Sequence, residues 1–320
     1  MFQNFLDQLG PSTVGGLAIG AIYALVALGY TMVYGVLRLI NFAHSEIFMI
    51  GTFAALGVVT IVGVPSGAGP VVLIGIILLM IIFGMLASGG SAVLLERIAY
   101  RPLRKKGASR LAALISAIGA SVFLQELFAL VIIPDVFNRP GRLETAVPRL
   151  IERDDLFSIG SAVVRLNDLV VFVAALAMMV VLDQLVNRTR IGRGIRATAQ
   201  DPEAAVLMGV NIDTIVRVTF LLGGAMAGVA GVLYVIQVEN TFYQVGFILG
   251  IKAFTAAVLG GIGNIRGALL GGFVLGLVEN WGAIFFGSAW KDVIAFVVLV
   301  LVLMFRPTGI LGESLQQARA

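Results

Sequence analysis

Residues 70–95 read PVVLIGIILLMIIFGMLASGGSAVLL, a stretch without a single charged side chain. About 20 mostly apolar residues in an α-helix cross the hydrocarbon core of a bilayer. This run is too long and too continuous for the alternating in–out pattern of a membrane-spanning strand. It therefore predicts a helix whose solvent is lipid.

The same pattern recurs on both sides. Upstream, candidate spans cover Ser12 to Val36 and Leu39 to Val64, the second opening on the polar run Asn41-Phe-Ala-His-Ser-Glu46. Downstream, they cover Leu111 to Ile133, Leu166 to Val186, Thr214 to Val238, Ile265 to Glu279 (extending toward Phe286) and Asp292 to Phe305. A glycine-broken region, Val245 to Asn264, lies between the sixth span and the seventh. The expected fold is all-α: a polytopic transmembrane helical bundle of about eight to ten spans, one of them broken. Residues 1–320 are read as one transmembrane domain.

Composition agrees. The 320 residues are 59% hydrophobic and 12% charged, with a mean hydropathy of +1.02. A soluble domain is about half apolar and about a quarter charged. There is no cysteine, which excludes disulfides, thiolate metal sites and thiol nucleophiles. His44 is the one histidine, so a multi-histidine metal site is excluded too. The net charge of +4 fits basic cytoplasmic loops, and no nucleic-acid partner is expected. The N-terminus lacks a basic run, so no cleaved signal peptide is expected.

Lysine and arginine in short loops set orientation. Glu96 to Arg110 holds six basic residues against one acid, and Arg188 to Glu203 holds four arginines against two acids. Both are expected in the cytoplasm, the second within a coupling loop at 187–213. Residues 134–165 balance five arginines against five acids, which suits an extracytoplasmic loop. The N-terminus then falls outside, and the C-terminus inside if the broken region crosses fully. Small residues crowd the spans, as at Gly223, Gly224, Gly228 and Gly231 and at Gly267, Gly271, Gly272 and Gly276. In lipid such faces let helices pack closely. The polar breaks at Asn41 and at Gly260 to Asn264 form a weak internal echo, the mark of paired repeats in transporters.

Within the second basic loop, Asp201 is a good N-cap, Pro202 suits the first helical position and Glu203 favours the positive helix end. Gly209 is a natural stop. About two turns lie between them, roughly 12 Å. Such a helix, with Ala204, Ala205, Leu207 and Met208 exposed, is either an ordinary interfacial loop helix or a knob for a partner's groove.

Glu203-Ala204-Ala205-x3-Gly209 resembles the EAA motif of ABC importer permeases, whose short coupling helix seats in the ATPase subunit. Longer stretches are more specific: ALGYTMVYGVLRLINFAHSEIFMIG (27–51), ERIAYRPLR (96–104), LISAIGASVFLQ (114–125), GIKAFTAAVLGGIGNIRGALLGG (250–272) and RPTGILG (306–312). In this order, over nearly the whole chain, they resemble the LivH-type permeases of branched-chain amino acid ABC importers. The resemblance implies a non-enzymatic subunit of a prokaryotic cell (inner) membrane, forming half of a transmembrane pathway. Two ABC ATPase subunits would carry ATP and Mg²⁺, and an extracytoplasmic binding protein would deliver substrate. A second, LivM-like permease or another copy of this chain would complete the pathway. The sequence itself has no G-x-x-x-x-G-K-[ST] phosphate loop and so no cofactor site of that kind.

Polar groups in lipid are costly, which makes those within the spans pathway candidates. Asn41, His44, Ser45 and Glu46 lie on one short stretch; in a helix, Asn41 and Ser45 would share a face. They line a pathway or gate, or else mark a helix end near the interface. Lys252, with Thr255 close by, is either a snorkelling lysine or a pathway residue. Gly260, Gly261, Gly263 and Asn264 permit unwound backbone whose carbonyls and amides could meet a zwitterion. Glu126, Glu239, Glu279 and Asp292 read as structural groups near span ends. No catalytic set and no metal site is expected.

Other readings remain open on sequence alone. A urea or short-amide ABC permease differs only in substrate. A secondary transporter would need ion-coupling charges deep in the spans, and this chain has few. A membrane enzyme would need a catalytic cluster, which the residues do not offer.

Overall fold

The computed structural model describes residues 2–65, 69–151 and 155–312. Eight helices in it are long and apolar enough to cross a membrane, and a ninth apolar helix is shorter. In chain order they are α1 (Phe2–Leu37), α2 (His44–Val62), α3 (Pro70–Lys105), α4 (Arg110–Phe137) and α5 (Leu166–Arg188). Two short helices follow, α6 (Arg190–Gln200) and α7 (Pro202–Leu207). The rest are α8 (Ile212–Val238), α9 (Val245–Gly260, the short one), α10 (Ile265–Phe286) and α11 (Ser288–Phe305). The chain is an integral, multi-pass membrane protein with an all-α bundle fold.

Burial sorts the helices. The most apolar windows of α1, α2 and α8 are 89%, 72% and 83% buried, against 22% for α3, α4 and α5 and 6% for the last span. The outer helices leave Val71, Leu86, Phe123 and Phe305 exposed, a surface that water would not tolerate at this extent. The central helices are joined through glycine. A Cβ on Gly20 would lie 2.8 Å from the Gly272 carbonyl oxygen, which brings α1 against α10. A Cβ on Gly228 would lie 3.0 Å from the Met85 amide nitrogen and still closer to the Gly84 carbonyl, which brings α8 against α3. Both obstacles are backbone, so neither can swing aside. Gly228→Val should therefore overpack this crossing by about 1–3 kcal/mol. It is expected to lower the thermal midpoint and broaden the size-exclusion peak in detergent. An unchanged midpoint would mean that the α3–α8 contact is not limiting.

α3 and α4 each contain a widened π segment, Glu96–Tyr100 and Phe128–Ile132. Each ends just before a proline, Pro102 or Pro134. Proline has no N–H for the turn below, so the helix widens there.

One end of the bundle carries the basic segments. There Arg101 and Arg104 of α3 bind Asp213 of α8 at 3.0 and 2.5 Å, and α6 and α7 lie beside them. At the opposite end, residues 138–151 and 155–165 form a small cap. Strand β1 (Thr145–Ala146) pairs with β4 (Asn240–Thr241), and β2 (Asp155–Ile159) forms a hairpin with β3 (Ala162–Arg165). Arg142 pairs with Glu126 at 2.9 Å. Arg149 grips Glu239 through Nε and a terminal nitrogen, both at 3.0 Å, and these hydrogen bonds raise the pKa of its guanidinium. Residues 152–154 of the expected loop lie outside the described residues.

Two helices begin inside the bundle rather than at an end. Ser88 Oγ, near the middle of α3, donates to the Ile47 carbonyl at 2.8 Å, which puts the first turn of α2 at mid-depth. Asn41 therefore precedes the helix, and it does not share a helical face with Ser45. α9 starts at the same depth: a Cβ on Gly246 would lie 2.9 Å from Glu46 Oε2. From this level α2 runs toward the capped end and α9 toward the basic end. α9 is unbroken through Gly260, so the glycines end it where the sequence suggested an interruption.

Candidate functional site

The basic-end segment is built by successive caps. Thr189 Oγ1 accepts from the Gly192 amide at 3.0 Å and starts α6. Asp201 ends α6 and starts α7, its Oδ1 accepting from the amides of Glu203 (2.9 Å) and Ala204 (3.0 Å). The backbone then reverses at Gly209, whose φ of +85° suits glycine, and the Val210 amide donates back to Ala205 at 2.9 Å. Ala205 is buried against the bundle, which corrects its expected exposure: it is the one residue of this six-residue helix turned toward the protein, and the remainder presents a broad outer face. That face carries Leu207 and Met208, 87% and 84% exposed, with Glu203 and Ala204 also open.

This segment is braced on two sides. Arg38, at the end of α1, donates to the carbonyls of Ala199 (3.2 Å) and Gln200 (3.4 Å), the last turn of α6. Asp213, beyond α7, is held by the arginines of α3. Movement of α7 would thus reach both α3 and the connector between α1 and α2.

That connector leads to the buried polar interior. Asn41 Oδ1 accepts from the Tyr100 hydroxyl at 2.8 Å. The His44 ring stands edge-on to Tyr30, with centroids 4.8 Å apart. Ser45 Oγ donates to the Phe42 carbonyl at 2.6 Å and lies 3.2 Å from Glu46 Oε1. The same Glu46 oxygen accepts from Ser121 Oγ at 3.0 Å and Gln125 Nε2 at 2.9 Å, both on α4. Four sequence candidates, Asn41, His44, Ser45 and Glu46, are thus gathered at mid-depth where α1, α2, α4 and α9 meet.

Lys252 lies on α9, two turns beyond its start, and reaches across to α10 and α11. Its Nζ is 2.7 Å from Glu279 of α10 and 2.6 Å from Asp292 at the start of α11. Tyr23 of α1 donates to the other Glu279 oxygen at 2.9 Å. Thr255, one turn on, is buried and donates to the Ile251 carbonyl at 2.9 Å. Gly260, Gly261, Gly263 and Asn264 lie elsewhere, near the basic end. There the carbonyls of Leu259 and Gly260 accept from Ile310 (2.8 Å) and Leu311 (3.0 Å), and Asn264 caps α10 through the amides of Arg266 (3.0 Å) and Gly267 (3.1 Å). This run fastens the end of the chain to α9.

The sequence reading missed Arg38, Tyr100, Ser121 and Gln125, and it read Glu279 and Asp292 as structural groups near span ends without naming Lys252 as their partner. A polar Ser-x3-Gln on one face of an otherwise apolar span was the available signal for Ser121 and Gln125.

A lipid-embedded bundle, two helix starts at mid-depth and a braced, outward-pointing short helix define a membrane transport permease. The chain belongs to the family described as the branched-chain amino acid transport system / permease component, whose model matches residues 12–303. Among its relatives is the high-affinity branched-chain amino acid transport system permease protein BraD of Pseudomonas aeruginosa, 43% identical over 97% of this chain and 96% of that one. The corresponding LivH protein of Escherichia coli is 39% identical over 98% and 97%. A probable LivH protein of Methanocaldococcus jannaschii is 25% identical over 98% and 96%.

Proposed function

We propose that this chain is one of two permease subunits of an ABC importer, and that it passes branched-chain amino acids across the prokaryotic cell membrane. Two ATPase subunits, which hold ATP and Mg²⁺, drive it from the basic end, which is cytoplasmic. A binding protein delivers substrate to the capped end, where residues 138–151 and 155–165 offer it a docking surface. The second permease is a LivM-like chain or another copy of this one.

The observation that carries this reading is the exposed pair Leu207–Met208 on a helix braced from both sides. Two large apolar side chains at the tip of a short helix suit a groove in a partner. Asp201, Pro202, Glu203, Ala204, Ala205 and Gly209 shape that helix. When the ATPases close, the helix moves as a lever, and Arg38 carries the motion to Asn41–Glu46. In this scheme Asn41, His44, Ser45, Glu46, Lys252 and Thr255 border the path.

The test is a pull-down from the native membrane in mild detergent, with co-purifying proteins identified by mass spectrometry. ATP-binding subunits and a second permease are expected. Recovery of this chain alone, still transporting leucine in liposomes without ATP, would overturn the proposal.

The lever makes its own prediction. Arg38→Ala leaves α7 and its cap intact and cuts the link to α1. Leucine uptake by the reconstituted transporter is expected to fall roughly fivefold while ATP hydrolysis continues. Equal loss of both activities would instead place Arg38 in docking.

A further inference from the structure

Between α1, α8, α9 and α10 lies a cleft of about 220 Å³ on the side of the bundle where α8 ends and α11 begins. Its polar lining includes Tyr23, Lys252, Glu279 and Lys291. Its apolar lining includes Ile19, Phe242 and Ile248. Lys252 and Glu279 are nearly buried, at 12% and 2% side-chain exposure. Buried charges are expensive, and in a transport protein they are functional candidates by default.

We infer that this cleft is an entry site for the zwitterion of an amino acid with an apolar side chain. The inference rests on the importer reading above and assigns it a substrate-contacting site. Lys252 takes the substrate carboxylate. Glu279 takes the ammonium group, while Asp292, outside the cleft, stays beside Lys252. The substrate thus replaces one partner of each charge by one of the same sign, and no buried charge is left alone. The Tyr23 hydroxyl, donating to Glu279 at 2.9 Å, fixes the carboxylate in place. Ile19, Phe242 and Ile248 receive the apolar side chain. A uniformly apolar cleft would not select a zwitterion, and a uniformly charged one would not select a branched side chain.

The opposing account is that Lys252, Glu279 and Asp292 only tie α9, α10 and α11 together. Two variants of the intact reconstituted transporter separate the accounts, with wild-type leucine uptake measured first. Wild type failing to take up leucine would overturn the importer reading itself. The exchanged pair Lys252→Glu with Glu279→Lys keeps an ion pair and reverses its polarity. It should fold, yet leucine uptake should fall about tenfold or more, because each charge now meets its own sign. Uptake at wild-type level in the exchanged pair would overturn the site.

A second measurement does not depend on that pair folding. The chain has no cysteine, so Ile19→Cys gives it a single thiol in the cleft. Millimolar leucine should slow labelling of that thiol by a small cationic thiosulfonate several-fold, whereas millimolar acetate should not. Equal labelling rates with and without leucine would also overturn the site.

Discussion

Leu207→Asp is expected to release the ATPase subunits and abolish uptake while leaving the permease folded. Leu207 is 87% exposed, so its replacement removes no packing within this chain. In a partner's groove the same side chain would be an anchor, and loss of an anchor costs about 2–4 kcal/mol, or roughly 30-fold to 1,000-fold in affinity. A buried, unpaired carboxylate adds to that loss. Met208→Asp should behave alike. Glu203→Lys puts a positive charge at the positive end of α7 and should weaken both the helix and the docking. Gly209→Val forces a branched residue to a φ of +85° and disturbs the turn that aims Leu207. The measurement is the ratio of ATPase to permease after affinity purification, alongside the thermal midpoint of the permease. A wild-type ratio with Leu207→Asp would remove α7 from the coupling role. A lowered midpoint would show instead that the tip supports the fold.

The spans were legible because lipid demands long apolar runs, and residues 70–95 satisfy that demand without exception. Their ends were less legible. Hydropathy continues through Leu39, Ile40, Phe42 and Ala43, because the connector between α1 and α2 dips into the bundle and stays in apolar surroundings. The true start of α2 is His44. The interior start of α9 was hidden for the same reason. The caps of α7 were legible since they depend on neighbours in sequence, with Asp201 bonding residues two and three positions on. The partners of Lys252 were not, because Glu279 is 27 positions away on another helix and no periodicity connects them. The burial of Ala205 was equally hidden, being set by which face of α7 meets α8.

The other large effect is expected at Glu46. One oxygen of this carboxylate receives the donors Ser121 and Gln125 from α4 and lies near Ser45 Oγ of its own helix. α4 otherwise turns much of its surface outward, with Ile115, Val122, Phe123 and Leu130 exposed, so Glu46 is its main polar hold on the centre. Glu46→Leu is close in size and removes the acceptor. It strands the buried Ser121 hydroxyl and the half-buried Gln125 amide in an apolar setting, at about 1–2 kcal/mol for the buried donor and less for the other. It should lower the thermal midpoint, and leucine uptake should fall to background, since the proposed route of motion from Arg38 through Asn41 to α4 passes this point. Glu46→Gln keeps an acceptor oxygen for Ser121 and Gln125. It should retain most of the stability and a measurable part of the uptake. The contrast decides what Glu46 does. If both variants fold and neither transports, the charge itself serves the path. If Glu46→Gln transports and Glu46→Leu does not, the hydrogen-bonded hold on α4 is the function. Wild-type uptake by Glu46→Leu would remove this residue from the pathway altogether.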